Sequence, residues 1–156
     1  MNRVLRSAVV ATLLVPAVAL LAQASESSNM KAFQKARHDH YHELGDAFKV
    51  VRDQSRAGKP DLAKVKTAAK VVSKAAAEQE KWFPAGSGPE AGKTRALPEI
   101  WSKPTEFKAA MQLFSDAAPK LQTAADSGDA AAIKTAFGEV GKACKNCHDN
   151  FRAEED

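Results

Sequence analysis

The sequence predicts an all-α protein, an antiparallel four-helix bundle with a long Gly/Pro-rich loop between helices two and three. Hydrophobic residues make up 44% of the 156 residues, and many of them are alanine, which favours packed helices over strands. Apolar residues recur every three or four positions in four separate stretches. Glycine and proline concentrate between the second and third of these stretches, where they predict a loop.

The N-terminal segment predicts export from the cytoplasm. A positively charged start, MNRVLR, precedes an apolar run, and Ala22-Gln23-Ala24 follows as a cleavage site. The run is shorter than the about 20 residues that a membrane span needs, so an uncleaved anchor is the less favoured alternative. We therefore expect a cleaved secretory signal over residues 1–24, one mature domain over residues 25–156 and a location in the periplasm.

The charge pattern argues against nucleic acid as a partner. Removal of the leader, which contains Arg3 and Arg6, lowers the formal net charge from +4 to +2. Lysines alternate with acidic residues instead of forming a basic stripe, so no nucleic-acid binding is expected. Stable membrane insertion after signal cleavage is not expected either.

Helices one and two are predicted from apolar spacing and from their ends. Helix one covers Met30 to Arg56, and helix two begins at the N-cap Asp61 and stops around Trp82. The predicted inward stripe of helix one is Phe33, Arg37, Tyr41, Leu44, Phe48 and Val51. That of helix two is Leu62, Val65, Ala69, Val72 and Ala76.

Helices three and four follow the loop, which residues 83–103 form because prolines and glycines interrupt any helix there. Ser102 and Pro104 are predicted to cap and open helix three, and Pro119 to kink it. Ser127-Gly128-Asp129 is a stop followed by an N-cap. The inward stripe of helix three is Phe107, Met111, Phe114 and Leu121. That of helix four is Ile133, Phe137, Val140, Cys144, Cys147 or His148, and Phe151.

One short motif carries the chemistry, Cys144-Lys145-Asn146-Cys147-His148, the C-x-x-C-H arrangement that attaches c-type haem. On one helical turn, the Cys144 and Cys147 thiols can form thioethers with the two vinyl groups of the porphyrin, and His148 can bind iron. We therefore expect one covalent haem c, bound by Cys144, Cys147 and His148.

Three other interpretations of the two cysteines are less favoured. A disulfide or a thioredoxin-like redox pair fits an oxidising compartment, but the thioredoxin motif starts a helix after a strand, and no strand is predicted. A zinc site would need further ligands, and no second C-x-x-C pair lies nearby in the sequence. The leader and the helical frame favour haem over all three.

With its motif near the C-terminus of a four-helix chain, the sequence resembles cytochrome c prime and its low-spin relatives, the class II c-type cytochromes. The likeness also includes Asp149-Asn150-Phe151-Arg152, the Trp82-Phe83-Pro84 segment and Leu97-Pro98-Glu99-Ile100-Trp101. By this resemblance His148 is the proximal iron ligand, Arg37 reaches a haem propionate, Tyr41 lies above iron and Arg152 lies beside His148. Relatives are often homodimers through their first two helices.

The distal ligand is left open by the sequence. Low-spin relatives have a methionine in this part of helix one and high-spin ones an apolar residue, whereas this chain has Tyr41. Among the neighbouring histidines, His40 lies on the flank of the apolar stripe and is the better candidate for iron, so the possible distal ligands are His40 and Tyr41. The simpler interpretation, which we favour, is that His38, His40 and His42 are solvated; a surface metal site at His38 and His42 would have only two ligands.

Two functions are compatible with this sequence, whereas a third, haem-based catalysis such as peroxidase turnover, has little support because no paired distal acid and base is identifiable. The favoured one is single-electron transfer between periplasmic redox proteins through transient contacts, with no substrate transformed and hence no enzymatic activity. Lys142 and Lys145 would help to steer these partners. The alternative, implied by the high-spin relatives, is a five-coordinate iron beneath Tyr41 that binds nitric oxide or carbon monoxide. Trp82 and Trp101 are expected to pin the loop, and Met111 to fill core.

Overall fold

The computed structural model describes residues 15–154, with side chains from Glu26 onward. The first helix, α1, spans Val15–Arg56, so it ends where predicted but begins well before Met30. No glycine lies between Val15 and Gly45, and Pro16 is at the second position, where a missing N–H costs no helical hydrogen bond. Part of the predicted leader, residues 1–14, lies outside the described residues, and its cleavage stays a prediction.

The second helix, α2, spans Leu62–Glu78, and the Asp61 carboxylate caps it by accepting the Lys64 N–H at 3.2 Å. A 3₁₀ turn, Gln79–Trp82, continues it to the predicted end. Between Trp82 and the next long helix, the chain contains a 3₁₀ turn at Pro89–Ala91 and a short helix, α3, at Glu99–Ser102.

The third long helix, α4, spans Pro104–Ser127 with proline as its first residue. The prediction that Ser102 caps this helix is wrong. Ser102 is the last residue of α3, and the cap position belongs to Lys103, whose side chain makes no capping hydrogen bond. The helix continues through Pro119.

The junction between α4 and the last helix follows the sequence prediction closely. Gly128 has a left-handed backbone (φ 73°) and donates its N–H to the carbonyls of Ala124 and Ala125. The last helix, α5, spans Ala130–Phe151, and the Asp129 carboxylate accepts its first free N–H groups at 2.8 and 3.0 Å.

The long helices form the predicted four-helix bundle. Helix α1 packs mainly on α2, α2 on α4 and α4 on α5, whereas α1 and α5 touch more lightly. One contact across this lighter seam is the stacking of Phe48 on Phe137, with ring centroids 4.3 Å apart. Within residues 15–154, no helix has the length and apolar character needed to cross a membrane.

The predicted inward faces are largely confirmed. All four apolar residues expected in α4 are buried, and in α2 only Leu62 departs, being 38% exposed. In α1 the exception is Phe33, 43% exposed, which lies one turn before the buried Arg37. Leu62 is the first residue of α2, and Phe33 is the first residue of the stripe predicted for α1, so apolar spacing alone overestimates the length of each stripe.

Candidate haem-attachment site

The two cysteines and His148 lie in the last turns of α5, at the boundary between the interior of the bundle and its surface. Cys144, Cys147 and His148 are each partly buried, and both thiols are free. Because helix α5 continues unbroken to Phe151, Cys144 and Cys147 are held one turn apart. The motif therefore lies at the end of a helix, whereas a thioredoxin-like redox pair lies at the start of one.

The protonation of these groups is set mainly by burial. Burial raises the pKa of the Cys144 thiol, and burial together with Cys144 raises the pKa of Cys147 to about 11. Burial, then the positive charges of Arg152 and Arg95, lower the pKa of His148. His148 is therefore neutral at pH 7, and a neutral imidazole has the lone pair that a metal ion requires.

Tyr41 of α1 lies opposite the motif, packed edge-on against Trp82 with ring centroids 5.1 Å apart. Burial, followed by the electrostatic influence of Cys147 and Cys144, raises the pKa of its phenol, so Tyr41 is neutral at pH 7. Its hydroxyl makes no hydrogen bond to the described residues. Tyr41 therefore offers a neutral O–H donor close enough to the cysteines to be influenced by them.

Arg37, one turn before Tyr41, is buried (5% exposed) and holds the loop. Its guanidinium donates to the Trp82 carbonyl at 3.2 Å, to the Ser87 hydroxyl and carbonyl at 3.0 and 2.9 Å, and to the Thr94 hydroxyl at 3.1 Å. The guanidinium carbon also lies 4.8 Å from the centre of the Phe83 ring. Neutral oxygens thus satisfy four of its N–H groups, and its contact with a propionate stays a prediction.

The sequence analysis did not identify the loop residues that contact Arg37. Ser87 is fully buried, and its hydroxyl also donates to the Pro84 carbonyl at 2.8 Å. Gly88 follows, and a Cβ there would lie 2.9 Å from the Trp101 ring. Such residues have no periodic signal, because a loop follows no repeat, so only the fold identifies them. Trp101 does pin the loop as predicted, donating its indole N–H to the carbonyls of Phe83 and Pro84.

The C-terminal end of α5 is tied to the same loop. Arg152 forms an antiparallel bridge with Ala96, and the Ala153 carbonyl accepts two hydrogen bonds from the Arg95 side chain, at 3.0 and 2.9 Å. Arg152 is exposed and influences His148 through its charge, as its effect on the His148 pKa shows. Arg95, which sequence reasoning did not single out, acts on His148 in the same direction.

The three histidines of α1 are all exposed, as the simpler interpretation expected. His40 stacks on Trp82, with ring centroids 4.7 Å apart and an interplanar angle of 17°. His38 and His42 contact each other through their Nε2 atoms at 3.2 Å. Tyr41 and not His40 faces the cysteines, so a role for His40 as an iron ligand stays a prediction.

The donor set fits a covalent haem. Two thiols one turn apart could form the two thioether bonds, and the adjacent neutral imidazole of His148 could bind the iron. Within the described residues, no group of three or more His, Cys, Asp or Glu suits a metal ion, which leaves the zinc interpretation without the ligands it needs. Tyr41 lines the opposite side, and Arg37 lies one turn away on the same helix.

Comparison with known proteins gives the same result. The chain matches the cytochrome C′ family over residues 32–152. It is 48% identical over 71 residues to cytochrome c′ of Alcaligenes xylosoxydans xylosoxydans, a match that covers 46% of this chain and about half, 54%, of that relative. It is 31% identical over 145 residues to cytochrome c-554 of Cereibacter sphaeroides, covering 88% of this chain and 92% of the relative.

A solved structure is similar over nearly the whole fold. Cytochrome c′ of Rubrivivax gelatinosus superposes with a TM-score of 0.72 at 32% identity, covering 78% of this chain and 94% of the other. With the motif, the bundle and these likenesses in agreement, the chain belongs to the cytochrome c′ family of class II c-type cytochromes, with covalently held haem c and its iron as cofactor.

Proposed function

We propose that this protein is a periplasmic electron carrier that moves single electrons between redox partners and transforms no substrate. The observation that carries the proposal is the partial exposure of the attachment turn, where Cys144, Cys147 and His148 all lie between the interior and the surface. Haem bound there supplies a ferric/ferrous couple. A cofactor near the surface allows exchange through a weak, transient contact.

The surrounding residues would tune and expose this couple. His148 is held neutral by burial and by the charges of Arg152 and Arg95, which favours its lone pair as a ligand. The same positive charges disfavour an additional positive charge at the site, and so favour the reduced state. Export by the predicted leader would place the protein among periplasmic partners.

The charges around the turn indicate where a partner would dock. Lys145 is paired with Asp149 at 2.6 Å, so its charge is largely balanced. Lys142 is exposed and has no ion pair among the described residues, which makes it the better steering cation of the two. A partner with an acidic rim would therefore approach α5 beside Lys142.

The experiment compares the rates at which ferricyanide, an anion, and a cationic cobalt complex oxidise the ferrous protein. Lys142→Glu should slow the anionic oxidant and speed the cationic one at low salt, and the difference should vanish at high salt. Lys70→Glu is the matched control, because Lys70 is an exposed lysine on α2, which does not contact α5. Equal effects of the two variants would contradict electron exchange at this surface.

A second function, binding of nitric oxide or carbon monoxide, is favoured by Tyr41. A neutral phenol is a poor metal ligand but a good hydrogen-bond donor, and its O–H has no partner among the described residues. His40, the other candidate ligand, is exposed and stacked on Trp82. Cytochrome c′ of Alcaligenes xylosoxidans has been crystallised as a variant with bound carbon monoxide and as another variant in complex with nitric oxide.

Optical spectra of the ferrous protein with and without carbon monoxide test this second function. A band shift on adding the gas, with faster gas dissociation in Tyr41→Phe than in the parent, would support an open iron site with Tyr41 as donor. His40→Ala should leave both the spectrum and the dissociation rate unchanged. The absence of a shift would leave electron transfer through six-coordinate iron as the function.

Homodimer formation belongs to the same proposal. A cytochrome c′ structure related to this chain at 29% identity and a TM-score of 0.74 is described as showing ligand-controlled dimer dissociation. The corresponding measurement here is sedimentation of the ferrous protein with and without carbon monoxide. A mass equal to one chain under both conditions would exclude the homodimer.

A further inference from the structure

Two histidines on the outer face of α1 are unused by the haem site. His38 and His42 lie one helical turn apart and are exposed, with 69% of the His38 side chain accessible. Their rings are tilted by 52°, and their centroids are 4.4 Å apart. The two Nε2 atoms lie 3.2 Å apart, at hydrogen-bond distance, with the donor set by the tautomers.

This separation is the one that two imidazoles have when they share a metal ion. Imidazole nitrogens bind zinc at about 2.0–2.1 Å, and ligand angles of about 90–110° then place two nitrogens about 2.9–3.4 Å apart. The Nε2 atoms of His38 and His42 lie within that interval without any change of rotamer. We propose that His38 and His42 form a two-histidine site for a divalent transition-metal ion, with zinc, copper and nickel as the fitting class.

Asp39, the residue that follows His38, supports this arrangement. The Asp39 carboxylate has one oxygen 3.6 Å from the Nδ1 atom of His38 and the other 2.6 Å from the Lys35 ammonium. A carboxylate on the far nitrogen favours a proton at Nδ1, which leaves the Nε2 lone pair of His38 for the metal. Lys35 in turn holds this carboxylate in place.

The chemistry of the pair defines which ions it takes. Neutral imidazole suits zinc, copper and nickel, whereas calcium and magnesium prefer oxygen ligands. Since the described residues contain no group of three or more ligating side chains, the protein supplies two ligands and water completes the shell. Such an exposed, incomplete site favours copper over nickel and zinc, following the general order of affinities for divalent ions.

The site is separate from the haem-attachment turn, although it shares a helix with Tyr41. Tyr41 packs inward against Trp82 and Phe83, and His40 covers the Trp82 ring. His38 and His42 contact each other on the exposed side instead. Metal binding there can therefore be measured on the intact haem protein without displacing a residue of the haem site.

The test is calorimetric titration of untagged holoprotein with zinc and, separately, with copper. We expect one metal ion per chain. Because loss of one of two linked ligands removes the advantage of chelation, His38→Gln and His42→Gln should each lower the affinity on the order of 100-fold. His40→Gln is the matched control, since it removes a neighbouring exposed histidine, and it should leave the metal affinity unchanged. Circular dichroism verifies that each variant retains its helices.

Electron paramagnetic resonance of the copper-loaded protein gives a second readout. Couplings from two histidine nitrogens are expected in the parent protein and in His40→Gln, and from one nitrogen in the single variants of the pair. Three results would overturn the proposal: no binding at millimolar metal, a loss of affinity in His40→Gln as large as in His42→Gln, or one metal ion for every two chains.

Discussion

The two ends of the bundle are built from different side chains. At one end, the small-residue core, consisting of Val51, Val65, Ala69, Leu121 and Ala125, is almost completely excluded from solvent, each residue being at most 1% exposed. At the other end, the aromatic cluster, consisting of Phe83, Trp101, Phe107 and Phe151, packs ring edge against ring face, as in the pair Phe83–Phe107 with centroids 5.0 Å apart.

This difference indicates that one end of the bundle mainly provides stability, whereas the other end surrounds the attachment turn. Small aliphatic residues let neighbouring helices approach closely and bury apolar surface, the dominant source of stability. Large rings instead form the wall beside Cys147 and support the loop that Arg37 holds. Substitutions in the small-residue core should change the free energy of unfolding with little effect on the haem. Substitutions of Cys144 and Cys147 at the attachment turn should change the haem content.

The largest expected effect is at the attachment turn. Replacing Cys144 and Cys147 together with alanine removes both thioethers, so haem should be absent from the denatured protein. Intact mass and the pyridine haemochrome spectrum measure this loss. The control is Lys145→Ala, which changes an exposed residue of the same turn that forms an ion pair with Asp149, and it should retain the full haem content. Covalent haem in the double cysteine variant would contradict the site.

The next largest effect is in the small-residue core. Leu121→Ala should lower the free energy of unfolding by about 3 kcal/mol, since it leaves a cavity among fully buried neighbours. The optical spectrum of the haem should be unchanged. On the same helix Leu113 is 48% exposed, so Leu113→Ala should cost less than about 0.5 kcal/mol. Denaturant unfolding of the three holoproteins measures both values, and similar losses in the two variants would break the comparison.

An intermediate effect is expected where α1 meets the loop. Arg37→Gln removes hydrogen bonds to Trp82, Ser87 and Thr94 and should cost about 2 kcal/mol, because it leaves buried acceptors without donors. Near-ultraviolet circular dichroism should change as well, since Trp82 and Trp101 border the loop. Arg56→Gln, at the exposed end of α1, should cost less than about 0.5 kcal/mol and leave that spectrum intact.

The smallest effect belongs to the cap of α5. Asp129→Ala removes the acceptor for the N–H groups of Ala131 and Ala132 and should lower the free energy of unfolding by about 1 kcal/mol. The control is Asp126→Ala, at an exposed position in the last turn of α4. Its free energy of unfolding should lie within about 0.5 kcal/mol of that of the parent. Thermal unfolding resolves the difference, and a cap variant as stable as its control would show that α5 needs no side-chain cap.

Errors in the sequence prediction fall at helix ends, where a local signal does not decide the boundary by itself. The early start of α1 was missed because residues 15–29 were assigned largely to a leader, although no breaker separates them from the rest of the helix. Ser102 has the chemistry of a helix cap, yet α3 contains it and Pro104 opens the next helix without a side-chain cap. Capping preferences are local, and packing of the neighbouring segment overrides them.

The sequence by itself determined the four long helices, apart from the start of α1, and the junction at Gly128 and Asp129. It also predicted the attachment of haem at Cys144, Cys147 and His148. These features depend on spacing along one helix or on residues adjacent in the chain, which periodicity and motif record directly. Only the tertiary structure decided that Tyr41 faces the motif while His40 lies outside, and that Arg37 holds Ser87. Such contacts join residues far apart in sequence, and their geometry arises only when the helices pack.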